Sequence, residues 1–125
     1  MSSLLRLELS GLPPSVNQMY RTGKYGGRYK RSEVSDWQDE TAGKIREAWK
    51  KEAYSGNVEV HIVYTVKGSR RWDIDNRLKA LLDCLELAGV IKDDSQIWGI
   101  VAYKERGKKD GVEIVMMEHT EIYRK

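Results

Sequence analysis

Apolar and polar positions alternate along four stretches of this chain and recur at helical spacing along two others. "LLRLELSGL" alternates from its start and is stopped by Gly11 and the rigid "LPPS", which predicts a first strand. Residues 12 to 31 show neither period. Pro13 and Pro14 exclude a helix there, and Gly23, Gly26 and Gly27 predict a bent loop. From Ser32 or Ser35, either of which would serve as a cap, a helix is expected to run to about Ala53. Val34, Trp37, Thr41, Ile45, Ala48 and Trp49 form its apolar stripe. "NVEVHIVYTVK" is β-branched and alternating and predicts a second strand. A second helix is expected from Asp75 to Ala88, with Leu78, Leu81, Leu82 and Leu85 buried and Gly89 just past its end. "QIWGIVAYKER" and "GVEIVMMEH" predict two further strands, joined as a hairpin by "GKKDG". The order β, long loop, α, β, α, β, β defines a mixed α/β fold, a small sheet packed by two main helices.

Length narrows the picture to one domain: 125 residues can bury a core without covalent staples. Cys84 is the only cysteine, so an internal disulfide and a thiolate metal cluster are both excluded; on the helix it reads as a small buried residue. No apolar run approaches the ~20 residues of a bilayer span and no leader pattern opens the chain, so a soluble cytoplasmic protein is expected. The net charge is only +3, and its distribution says more than its size. No acid occurs from Leu9 to Ser32, where Arg21, Lys24, Arg28, Lys30 and Arg31 are interleaved with tyrosines. Such a run is either a solvated surface or a set of phosphate contacts. His61 alternates away from the buried side of its strand and reads as structural or solvent-facing. His119 supports no role, and Trp37 and Trp49 read as core or dimer packing.

Carboxylates gather where the chain is also rich in arginine: "RRWDIDNRLKALLDCLELAGVIKDDSQI", residues 70–97. Asp73 and Asp75 flank Ile74, so in an extended segment with Ile74 turned inward both acids point outward together. A helix of ~14 residues carries the chain about 21 Å from Asp75. The stretch from Gly89 to Asp94 returns at most roughly 20 Å. The spacing therefore permits Asp94 to rejoin Asp73 and Asp75 without requiring it. Two or three carboxylates with phosphate oxygens suit Mg²⁺, which would explain acids gathered beside arginines that hold phosphates. The same acids also suit helix caps and turns. Lys79, one turn beyond Asp75, is either its ion-pair partner or a cation for transition-state charge.

Three stretches together resemble the RusA family of Holliday junction resolvases, in order and over nearly the whole chain. They are "LPPSVNQMY", the acidic stretch just quoted, and the closing "ERGKKDGVEIVMME". The resemblance implies a Mg²⁺-dependent endonuclease that resolves four-way junctions by paired nicks, with Mn²⁺ an open alternative and no organic cofactor. By position it implies that Asp73, Asp75 and Asp94 bind the metal, beside Asp93, and that Lys79 takes part in catalysis. Asn76 would orient a carboxylate. Leu12, Pro13, Pro14 and Ser15, and the run Ser69, Arg70, Arg71, Trp72 to Asn76, fall where the family contacts DNA. A homodimer is implied as well. Trp72 departs from the family's more basic lead and reads equally as a base-stacking residue or as packing. Two rivals stay open: a metal-dependent nuclease for other branched DNA or structured RNA, and a non-catalytic junction-binding protein.

Overall fold

The structure, a computed structural model, describes residues 3–22 and 28–121. Strand β1 (Leu5–Ser10) is followed by a short helix α1 (Val16–Met19), a small hairpin of β2 (Tyr20–Thr22) and β3 (Arg28–Lys30), and helix α2 (Ser32–Trp49). Strand β4 (Val58–Val66) then leads through a 3₁₀ turn (Ile74–Arg77) into helix α3 (Leu78–Leu87). A second 3₁₀ turn (Asp94–Gln96), β5 (Ile97–Arg106) and β6 (Gly111–Glu118) complete the order. The architecture is the expected mixed sheet with two packed helices. Within 12–31, however, the chain is more regular than expected. The prolines end before Val16, which frees the next residues to form α1, and Arg31 N–H donates to the Met19 carbonyl at 2.9 Å to close the base of the β2–β3 pair.

The four-stranded sheet has the order β1-β6-β4-β5. β4 is parallel to β5 and antiparallel to β6, so the expected β5–β6 hairpin does not form. Its physical reason lies in β4, whose Val58, Val60, Ile62 and Tyr64 are all buried and therefore claim the centre of the sheet. The turn at residues 107–110 crosses over the end of β4 instead. Gly107 N–H donates to the Val66 carbonyl at 3.1 Å and Lys67 N–H to Asp110 Oδ1 at 2.8 Å.

One face of the sheet supplies Leu5, Leu9, Val60, Ile62, Ile114 and Met116 to the core. α2 covers it with Ala42, Ile45 and Trp49, and α3 with Leu81, Cys84 and Leu85. Each fully buried aliphatic side chain contributes roughly 1.5–3 kcal/mol. The stripe of α2 differs from the expected one at three places: Ala48 is exposed, and Gln38 and Ala42 are buried. Gln38 sits against α3, where its Nε2 donates to the Ala80 carbonyl at 3.0 Å, so an amide is accommodated in the core by a specific acceptor. α2 also ends sooner than expected, at Lys50, a left-handed residue whose N–H returns to the Arg46 carbonyl. Its cap residue is Arg31, and Ser32 is already helical.

α3 closes as the glycine predicted. Gly89 is left-handed at φ 77°, its N–H donates to the Glu86 carbonyl, and Val90 N–H donates to the Leu85 carbonyl, both at 3.0 Å. Among the described residues no helix is long and apolar enough to cross a membrane. Replacing Ile62, fully buried mid-strand, by Ala should cost about 2–5 kcal/mol in urea or guanidinium unfolding. A loss below about 1 kcal/mol would contradict its central place.

Candidate metal and DNA site

All of the acids singled out above lie on the connection between the parallel strands β4 and β5. Asp73 stands at the head of the first 3₁₀ turn with extended backbone (φ −82°, ψ 142°), and its carbonyl accepts from Asn76 N–H at 3.1 Å. Its carboxylate does not cap the turn. From Ile74 onward the chain forms a 3₁₀ turn instead of the extended segment expected around Ile74.

The two acids line neighbouring clefts. Asp75 shares one of about 350 Å³ with Lys79, Asp83, Asp94 and the apolar Leu78 and Ile100. Asp73 lines another, of about 490 Å³, with Ser15, Asn17, Arg70, Arg71 and Asn76. Asp73, Asp75 and Asp94 are exposed and make no ion pair with the described residues. Among the described residues there is no group of three His, Cys, Asp or Glu side chains placed to hold one metal ion. Asp75 and Asp94 nonetheless fit a divalent cation by type: hard, unpaired, solvent-reached oxygens on one cleft, as Mg²⁺ takes when waters and phosphate oxygens fill its other positions.

Asp93 and Asp94 have different work. Asp93 caps the second 3₁₀ turn, accepting from Ser95 N–H at 3.3 Å in a reciprocal box with Gln96. That backbone N–H, then the neighbouring Asp94 side chain, holds the Asp93 carboxyl below the usual carboxylate range. Asp94 is left to face the cleft. Gln96 fastens this turn to the rest of the molecule. Its Oε1 accepts from Lys92 N–H at 2.8 Å and Asp93 N–H at 3.1 Å, and its Nε2 donates to the Tyr54 and Gly56 carbonyls at 2.7 and 2.9 Å. Lys79 pairs with Asp83 at 3.5 Å and not with Asp75, an exposed helical pair worth about 0.3–0.5 kcal/mol.

The expected DNA-contacting residues divide by position. Ser69, Arg70 and Arg71 are exposed, and neither arginine has an ion-pair partner among the described residues. Leu12 borders a third cleft with Ser69 and Arg70, Pro14 is half-buried, and Pro13 is buried. Arg77 ties the proline turn to the acid-bearing turn by donating from Nη1 to the Pro13 carbonyl. Trp72 is half-buried against the core, edge-on to Tyr64 at 5.1 Å, with Arg77 and Lys104 over its ring at 4.9 and 4.7 Å. Lys104 Nζ also donates to the Trp72 carbonyl at 2.6 Å, so Trp72 acts as a post for the loop that carries Arg70, Arg71 and Asp73. Arg31 lines a cleft with Pro14 and Arg77. Lys24 and the side chains of Arg21, Arg28 and Lys30 lie outside the described residues. His61 faces away from the core and meets Glu59 at 2.7 Å; that hydrogen bond holds the Glu59 carboxyl low.

Arg77, Gln96 and Lys104 are the residues the sequence reading overlooked. Gln96 had a signal in "DDSQ", an acid followed three residues later by glutamine, which is a capping-box pattern. Arg77 and Lys104 act through backbone carbonyls distant in sequence and carry no local signature.

Unpaired acids on a crossover, bordered by unpaired arginines, can take a cation beside a phosphate. The family model described as Endodeoxyribonuclease RusA matches residues 11–117. A relative from Aquifex aeolicus (strain VF5), "Crossover junction endodeoxyribonuclease RusA", is 36% identical over 107 residues, covering 84% of this chain and 85% of that protein. "Crossover junction endodeoxyribonuclease rusA" of Enterobacteria phage HK97 is 32% identical over 110 residues, covering 85% and 90%. The chain belongs to the RusA endodeoxyribonuclease family.

Gln96→Ala removes four hydrogen bonds from one turn. It should lower stability by roughly 2–4 kcal/mol in denaturant unfolding and slow cleavage by loosening Asp94. Unchanged stability and rate would show that the turn is held by something else.

Proposed function

We propose that this chain is a Mg²⁺-dependent, structure-selective endonuclease that resolves four-way DNA junctions by paired nicks, working as a homodimer in the bacterial or phage-infected cytoplasm. The observation that carries the reading is the cleft in which Asp75, Lys79 and Asp94 meet, next to one lined by Asp73, Arg70 and Arg71. Asp75 and Asp94 would hold the ion, with Asp73 two residues away on the same turn. Bound there, Mg²⁺ supplies the positive charge that polarises a phosphodiester and makes an attacking water more acidic, and Mn²⁺ supplies the same.

The protein's own residues do the remaining work. Arg70 and Arg71 hold phosphates flanking the scissile one, which sets the strand's position without reading its bases. Asn76, beside Asp73 in its cleft, steadies that carboxylate's surroundings. Lys79 brings a positive charge to the cleft where negative charge grows on the phosphate oxygens, a role its weak pairing with Asp83 leaves open. Ser15, with the proline turn fixed by Arg77, forms the opposite wall of the arginine cleft.

Dimerisation has a surface to use. β5 is an edge strand that exposes Trp98 at 56%, Ile100 at 45% and Tyr103 at 59%, and Ile100 also borders the Asp75–Asp94 cleft. A second copy seated there would set two clefts about one two-fold axis, which matches the pseudo-symmetry of a four-way junction and explains paired cuts.

Asp75→Asn should bind a synthetic junction as tightly as wild type and fail to cut it in Mg²⁺; cutting at the wild-type rate would overturn the assignment. Arg71→Ala should weaken junction binding and reduce the slope of log affinity against log salt by about 1, as expected for one lost phosphate contact. An unchanged slope would remove Arg71 from the interface.

A further inference from the structure

We propose that the cleft between the proline turn and the start of α2 is a phosphate pocket, in which Arg31 and Arg77 jointly hold one phosphodiester group of a DNA strand away from the cutting site. The inference rests on the nuclease reading for its ligand and on separate residues for its geometry. The cleft is about 300 Å³ and is walled by Leu12, Pro14, Arg31, Glu33, Trp37 and Arg77. Two of its lining residues have orphan donors: the Nε atoms of Arg31 and of Arg77 are both buried without a hydrogen-bond partner among the described residues.

A buried N–H with no acceptor is costly, and structures ordinarily satisfy it with a protein group, a water or a ligand. Here two such donors belong to permanent cations on one small cleft. Arg77 is already engaged through Nη1 with the Pro13 carbonyl and over the Trp72 ring, so its position is set before any ligand arrives. An anion with several oxygens satisfies both donors, because guanidinium edges match paired phosphate oxygens.

Two features select a strand-borne phosphate over a free one. Leu12, Pro14 and Trp37 give the cleft an apolar wall that suits a deoxyribose or base and serves no purpose for an inorganic ion. Arg77 also lines the cleft of Asp73, Arg70 and Arg71, so a strand lying past the acidic turn reaches Arg31 without a break. Glu33, the one acid on the wall, is exposed and accepts a hydrogen bond from Ser32 Oγ at 3.4 Å.

The full-length protein, labelled with ¹⁵N at arginine and kept free of divalent metal, allows the Nε–H resonances to be followed during titration. A single-stranded oligothymidylate should shift the Arg31 and Arg77 signals together, with one midpoint, while Arg6, paired with Glu113, stays in place. Arg31→Lys keeps the charge but loses the Nε–H; it should abolish the Arg77 shift and weaken oligonucleotide binding about tenfold, the scale of a lost charge-assisted hydrogen bond. Signals that do not move, or that only follow Arg6 as ionic strength changes, overturn the pocket. Inorganic phosphate producing the same shifts at the same concentration overturns the DNA strand as its ligand. Cleavage of junctions by a protein whose Arg31 and Arg77 signals stay still refutes the pocket and spares the nuclease reading. Paired shifts in a protein that cuts nothing support the pocket and refute that reading.

Discussion

Parallel pairing of β4 with β5 is the constraint from which the site follows. Parallel neighbours cannot be joined by a tight turn, so residues 67–96 leave the sheet at one end, cross its covered face as α3 and return at the other. Every residue assigned to the chemistry rides on that crossover: Arg70, Arg71, Asp73 and Asp75 on the outward leg, Lys79 on the helix, Asp94 on the return. The core holds the crossover down through Leu81, Cys84 and Leu85. β6 then pairs on the far side of β4, and β5 is left as an open edge beside the cleft.

Around this frame the polar groups are sorted between building and reacting. Asp93 is spent on a cap and Asp83 on Lys79, while Arg77 and Lys104 bind main-chain carbonyls that fix the proline turn and the loop before Asp73. Asp73, Asp75, Asp94, Arg70 and Arg71 are left without ionic partners among the described residues. An acid that stands unpaired beside unpaired arginines is a poor way to stabilise a fold, since a direct ion pair between them would be available at little cost. It is a sound way to keep both signs of charge ready for an ion and a phosphate.

Much of this was legible in the sequence where the cause is local. Alternation found β1, β4, β5 and β6, helical spacing found α2 and α3, and Gly89 marked a helix end to the residue. The pairing of β5 and β6 was misread because a short turn between two strands looks the same whether it joins neighbours or steps over a third strand. Only the burial of every second residue in β4 decides between them, and that is a property of the assembled sheet. Around Asp73 and Asp75 an extended segment was expected, and the 3₁₀ turn that begins at Ile74 carries no sign in the local alternation. Gln38 escaped for a related reason: an amide is expected outside unless its acceptor, here the Ala80 carbonyl, is known.

The account depends on Asp75 and Asp94 serving the same cation. Titrating Mn²⁺ into ¹⁵N-labelled protein and following paramagnetic broadening of backbone amides measures this without reference to activity. The amides of residues 75 and 94 should broaden together at one Mn²⁺ concentration, and both effects should vanish in Asp94→Asn. Broadening at one of the two alone, or at two separate concentrations, would contradict a shared ion.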